Sequence, residues 1–300
     1  MTVLRPIEDD AAARDAPPLS DDEEGFWVRA HLSAEGYDRL AGHLARRPDA
    51  WLSLSAHGTT DVEVLARFPG LRRFNVTSLR LASWDGLRHV ADSLVELSMG
   101  DTTMRRISIL PMAACRQLRA LRIIGPVRDA EAIAGLVDLE ELTLRSVTVS
   151  SLAPLLPMRR LRSLDLHLGG TADLALLPEL APIEELELWR IRGLRDVSVL
   201  GSLPALRVLR LQSMSAIREL PSLRGAASLR RLALDTMKGI TDLTPVAEAP
   251  ALEELLLIGM AQLEPASLRP LIGHPSLRRG IWGFGSTRKN AAAYDLLPLG

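Results

Sequence analysis

The segment LRVLRL at 206–211 is followed by LRRLAL at 229–234 and LEELLL at 252–257. Working backwards, the same L-x-x-L-x-L hexad recurs as IEELEL from Ile183, LRSLDL from Leu161, LEELTL from Leu139, LRALRI from Leu118 and LVELSM from Leu94. Weaker copies flank these: LRRFNV from Leu71, DAWLSL from Asp49 and LRRGIW from Leu277. The starts are spaced 21–25 residues apart over roughly eleven units, a period at which each unit forms one coil of a stacked solenoid. Side chains alternate along a strand, so the fourth and sixth residues of each hexad turn inward and the residues between them turn outward. One coil cannot bury its apolar side alone; stability then comes from stacking on the next coil.

The segments between hexads support this reading. VTVSSLAPL from Val147, GGTADLALL from Gly169, GLRDVSVL from Gly193 and GITDLTPV from Gly239 each carry an apolar turn. So short a coil leaves no room for a long return helix, and 3₁₀ turns with extended pieces are predicted there. The fold class expected is an α/β solenoid: a right-handed horseshoe or arc with a parallel concave sheet, short 3₁₀ or extended convex segments and an N-terminal helical cap.

These hexads and their spacing resemble the short, about 22-residue, repeats of bacterial leucine-rich-repeat proteins of the internalin and phosphatase-regulator type. The coil LQSMSAIRELPSL from Leu211 also resembles the irregular repeats of plant immune receptors. The resemblance covers roughly residues 49 to 284 and implies a binding module without specifying its partner. One departure is clear. Where those families place an Asn ladder, this chain has Val147, Gly169, Ile191, Met214, Met237 and Met260. Water or main-chain groups must then satisfy the turning backbone, and the methionines are read as gap-filling core.

The organisation expected is a disordered acidic tail at 1–24, a cap helix at 25–48, the solenoid at 49–284 and a C-terminal cap or tail at 285–300. The tail is rich in Asp, Glu, Ala and Pro with little to bury. Ser33 is placed to cap a helix carrying Tyr37, Leu40 and Leu44, and Trp282 and Phe284 to plug the last coil.

Composition limits the function classes. The net charge is -1, and arginines are interleaved with acids, which argues against nucleic acid. The abundance of Arg beside Ala and Gly fits a GC-rich bacterial genome. A single cysteine, Cys115, excludes an internal disulfide and a cysteine-based zinc site. No apolar run is long enough to span a bilayer and the N-terminus lacks a signal-peptide core, so a cytoplasmic location is the expectation. No membrane partner and no cofactor are expected, and a monomer is the default.

Register identifies the outward side chains. The central coils place Arg122, Arg145, Asp165, His167, Glu185, Glu187, Trp189 and Arg210 on one strand face, a mixed-charge surface around a large aromatic. Trp and Arg are the types most enriched at binding hot spots, so this is the predicted site for a protein or peptide partner. Ser163, Asp165 and His167 share a strand, but same-face neighbours stand about 6.5–7 Å apart along the backbone, too far for a working triad. No catalytic residue is assigned. Asp165, His167 and Glu187 make an acceptable metal ligand set, set against an open sheet surface; no metal is assigned. The alternatives retained are an enzyme, small-molecule or metal site on these central strands, and self-association through the apolar C-terminal coils around Leu256 and Ile258.

Overall fold

The protein is described by a computed structural model covering residues 3–56, 58–100, 107–169 and 171–299. It divides into two compact units, one comprising residues 1–148 with 157–159, the other 149–156 with 160–300. In the first unit the strands are β1 (Leu4–Ile7), β2 (Gly25–Val28), β3 (Trp51–Leu54), β4 (Arg73–Val76), β5 (Glu96–Met99), β6 (Ile107–Ser108), β7 (Ala120–Ile124), β8 (Val127–Arg128) and β9 (Glu141–Arg145). Strands β1, β2, β3, β4, β5, β7 and β9 follow one another in a parallel sheet, while β6 pairs with β8 alone. In the second unit β10 (Ser163–His167), β11 (Glu185–Trp189), β12 (Val208–Gln212), β13 (Arg231–Asp235), β14 (Glu254–Ile258) and β15 (Arg279–Trp282) pair in chain order, all parallel.

The hexad accounts for both sheets. Its fourth and sixth residues are buried coil after coil: Leu142 and Leu144 in the first unit, and Leu164, Leu166, Leu186, Leu188, Leu209 and Leu211 in the second, none above 1% exposed. Registered pairing puts like on like, Leu164 beside Leu186 beside Leu209, so each apolar ladder is one continuous stack. Many return segments carry 3₁₀ turns such as Asp85–His89 and Ser198–Ser202, and the one over Thr244–Ala247 is a single α-helical turn.

The column that replaces the Asn ladder is interior except at Gly169, which is half-buried. Val147 in the first unit, and Ile191, Met214, Met237 and Met260 in the second, are 5% exposed or less. The chain turns just before it through left-handed residues, and most are not glycine: Ser146 (φ 60°), Leu168 (57°), Arg190 (51°), Ser213 (55°) and Thr236 (54°). Such a conformation is uncommon outside Gly and Asn, and unusual for a β-branched residue. Main-chain groups of the following coil hold it. The amides of Leu168, Arg190, Ser213 and Thr236 donate to the carbonyls of Trp189, Gln212, Asp235 and Ile258 at 2.8–3.0 Å.

The N-terminus corrects the expected organisation. Residues 4–7 are a strand paired with β2, not an unstructured tail, and residues 25–28, expected within the cap helix, are a strand too. Between them lies α1 (Asp10–Arg14); the helix capped by Ser33 is α2 (Ala34–Arg46), with Ser33 Oγ accepting from the Gly36 amide. A few small contacts suffice to order this stretch. Ile7, Ala13 and Ala16 are buried, Ser33 donates to Asp10, and buried His43 bonds the Ala16 carbonyl at 3.0 Å.

The Arg5–Glu23 ion pair closes the segment. Both side chains are less than one-fifth exposed, and Arg5 Nε donates to Glu23 Oε1 at 2.7 Å. Arg5, assisted by Ser20, holds the Glu23 carboxyl near 2 rather than its ordinary 4.5. A depressed carboxyl pKa contributes stability that is complete above the unfolded value and lost as pH falls through the folded one. The first unit should therefore lose on the order of 2 kcal/mol between pH 4.5 and 2 through this group. Urea titrations across that window should show a shallower decline in Glu23→Gln; parallel declines would remove the pair from the account.

The second unit contains α3 (Thr244–Ala247) and closes on α4 (Thr287–Leu296), whose N-terminus is capped by Ser286 Oγ accepting from the Lys289 amide. Trp282 and Phe284, each 1% exposed, fill the last coil as expected, and Trp282 Nε1 donates to the Leu297 carbonyl at 3.2 Å.

Candidate binding face of the strands

In the second unit, registered pairing sets Asp165 beside Glu187 beside Arg210, and His167 beside Trp189 beside Gln212. Parallel neighbours lie about 4.8 Å apart, so each row brings side chains into contact. His167 Nε2 lies 3.1 Å from Glu187 Oε1, and Arg210 Nη1 lies 3.8 Å from Glu187 Oε2. The imidazole first, then the guanidinium, hold the Glu187 carboxyl below the usual carboxylate range against the opposing effect of burial. Trp189 stands edge-to-face on His167, ring centroids 5.5 Å apart at 70°. It is half-buried, neither sealed in the core nor standing free, while Leu186 and Leu188 on either side of Glu187 are interior. Glu185 is exposed at the start of the strand.

The remaining two predicted residues belong to the first unit. Arg122 is exposed, with Ser98 and Thr143 as its register partners, and Arg145 is half-buried at the end of β9. Arg122 helps to line a shallow recess of about 230 Å³ with Trp51, Glu96, Ser98, Glu141 and Thr143.

Two aromatic residues on this face of the first unit escaped the sequence reading. Trp27, 38% exposed on β2, has the Arg29 guanidinium 4.7 Å from its ring centre and donates through Nε1 to Ser55 Oγ at 2.6 Å. Trp51, its neighbour but one in the register rows, has Arg73 at 5.9 Å. Trp27 falls within the cap helix expected at 25–48, and Trp51 stands in one of the weaker hexad copies, so neither is assigned an outward place from sequence. The alternation F-W-V, apolar at both buried places, was the available signal.

Several outward charges are paired across strands, Arg73 with Glu96 at 2.8 Å and Arg231 with Glu254 at 3.1 Å. Half-buried at the sheet surface, such pairs contribute modestly to stability and set a charge pattern. Toward the C-terminal end the outward face is apolar. Leu256 is 9% exposed, whereas Ile258 and Ile281 are 41% and 49% exposed; α4 covers Trp282 behind them instead of folding over them. Ser163 lies on the His167 strand, and no hydrogen bond joins its hydroxyl to His167 Nε2. Cys115 is fully buried, and burial pushes its thiol up to about 11. Among the described residues no helix is long and apolar enough to cross a membrane.

No protein-family model and no curated protein matches the sequence. Among solved structures the chain is similar to the internalin InlF of Listeria monocytogenes, with a TM-score of 0.61 and 15% identity over 99% of this chain and 86% of that one. It is also similar to a chain of the yeast Rad7–Elc1 complex (TM-score 0.53, 18% identity, 94% and 81% covered). A leucine-rich-repeat protein of Leptospira interrogans gives 0.50 at 13% identity, with 99% and 98% covered. The fold is therefore that of a leucine-rich-repeat solenoid with internalin-like repeats.

Proposed function

We propose that this chain is a non-catalytic interaction module that holds a protein or peptide against the outward face of its strands, with Asp165, His167, Glu185, Glu187, Trp189 and Arg210 in the second unit, and Arg122 and Arg145 in the first, as contact residues. The observation that carries the reading is the half-buried Trp189, braced edge-on by His167 and set among charges of both signs. A braced aromatic loses little side-chain freedom on binding, and Trp and Arg dominate hot spots. In the second unit the strands rest on stacked leucines from Leu164 to Leu255 and from Leu166 to Leu257, a rigid base that favours binding without rearrangement. Internalins and the Rad7–Elc1 assembly share the fold, which makes a protein partner the natural class. A cytoplasmic scaffold or regulator in a bacterium is the setting we infer.

The test begins with a partner recovered from native extract and re-made pure. Trp189→Ala combined with Arg210→Ala should weaken that complex by about 2 kcal/mol or more in calorimetric titration, roughly thirtyfold. Arg224→Ala, on a return segment with a side chain 80% exposed, should leave it unchanged. Equal affinity for the double variant and wild type rejects this face.

A further inference from the structure

His167 poses a problem that the partner reading leaves unsolved. Its Nε2 is wholly buried and faces the Glu187 carboxylate at 3.1 Å as an ion pair, without a hydrogen bond of ordinary geometry. A buried polar atom left in this way carries a desolvation cost that a partner normally offsets. Asp165 completes the group: one donor atom each from Asp165, His167 and Glu187 lies within 4.8 Å of the other two, and all three side chains are half-buried.

We propose that Asp165, His167 and Glu187 form a three-ligand site for a divalent transition cation, with Zn²⁺ the best fit, on the outward face of β10 and β11.

The chemistry of the set points there. One imidazole nitrogen and two carboxylates are ligands that Zn²⁺ accepts at about 2.0–2.2 Å, with a further position left for water. A 3.1 Å separation between a nitrogen and an oxygen bound at those lengths subtends about 100° at the metal, between octahedral and tetrahedral angles. The cation then gives Nε2 and Oε1 a common partner toward which both can turn. Asp165 must close by up to about 1.5 Å to reach tetrahedral spacing, within the swing of a carboxylate side chain. The backbone has already done the larger part of the positioning. Asp165 and His167 are two residues apart on one strand face, and Glu187 is the register partner of Asp165 on the next strand. Trp189 walls one side, its ring centre 5.5 Å from the imidazole. Arg210, 3.8 Å from Glu187, opposes the cation electrostatically and so tunes the site downward.

The full chain, stripped with a chelator and dialysed, would be titrated with ZnCl₂ by calorimetry, and bound zinc counted by elemental analysis. One equivalent should bind wild type. His167→Ala should weaken binding by about 100-fold, since loss of groups that merely orient metal ligands already costs 10–100-fold. Asp165→Asn and Glu187→Gln, which keep side-chain shape and so keep the test open if the Ala variant misfolds, should each weaken it by at least about tenfold. Arg210→Ala should tighten it, and His274→Ala should do nothing. As a second readout, Co²⁺ should quench the emission of Trp189, and Trp189→Phe should abolish that quenching. The proposal is overturned if the folded wild type takes up no stoichiometric zinc. It is equally overturned if the Asp165, His167 and Glu187 variants bind it as tightly as wild type.

Discussion

Leu188→Asp is expected to unfold the second unit at room temperature or bring it to the edge of unfolding. Leu188 is the sixth residue of its hexad, 0% exposed, between Leu166 on β10 and Leu211 on β12, themselves interior. Removing the isobutyl group alone costs about 3 kcal/mol, as in Leu→Ala changes at packed sites. The carboxylate that replaces it has no cationic neighbour in a ladder of leucines, and an unpaired buried charge adds several kcal/mol or forces the group to take up a proton. The sum rivals the 5–15 kcal/mol that holds a typical domain together. Because coils are stabilised by their nearest neighbours, the damage should be greatest in the strands flanking β11. Urea melts followed by circular dichroism, with hydrogen exchange to locate the loss, would measure it. Glu185→Gln, three residues away but outward, should shift the midpoint by no more than about 0.5 kcal/mol. Similar melts for the two variants would mean that inward and outward had been assigned the wrong way round.

That contrast also marks how far the sequence could be read. The two leucines of each hexad carry both the period and the direction of the side chains beside them, and so place Trp189, Glu187 and Arg210 outward from sequence alone. The first two strands did not follow. Leu4–Ile7 contains Pro6 and no leucine pair, and the segment after it is mostly acid, alanine and proline. Its order comes from pairing with β2 and from the Arg5–Glu23, Ser33–Asp10 and His43–Ala16 contacts, all between residues at least 18 positions apart. Local pattern does not report such contacts. The left-handed turns were hidden for a related reason. Nothing about Leu168, Arg190 or Thr236 announces positive φ; the carbonyl that holds each amide comes from the following coil. At the candidate site, the sequence placed Asp165, His167 and Glu187 on one face. It could not tell that His167 Nε2 would be buried against the Glu187 carboxylate with Trp189 edge-on beside it, because that depends on the side-chain rotamers of two strands.

Trp282→Ala should be the most damaging change near the end of the second unit, at about 3–5 kcal/mol. The indole is 1% exposed and joins β15 to α4. It ends β15, its Nε1 donates to the Leu297 carbonyl at 3.2 Å, and its ring lies 6.2 Å from that of Tyr294 on α4. Room for it is made by Gly280, where an added Cβ would fall 2.3 Å from the ring carbon Cζ2. An end coil has no following coil to cover its leucines, and a solenoid needs a cap there. Here the cap is α4, and Trp282 is what it grips. Truncation should open a cavity under the helix and leave the Leu297 carbonyl without its donor, so α4 should detach before β14 and β10–β12 lose their pairing. Limited proteolysis should then cut within 286–299 well before elsewhere, and the urea midpoint should fall with it. Trp282→Phe should recover the packing but not the hydrogen bond, landing between the two. Gly280→Ala should mimic the loss without touching the indole, since the ring cannot stay where the new methyl must go. If the helix remained as protected in Trp282→Ala as in wild type, α4 would be held by its other contacts, Lys289 to the Ala261 and Leu263 carbonyls and to Glu264, and the indole would be filler.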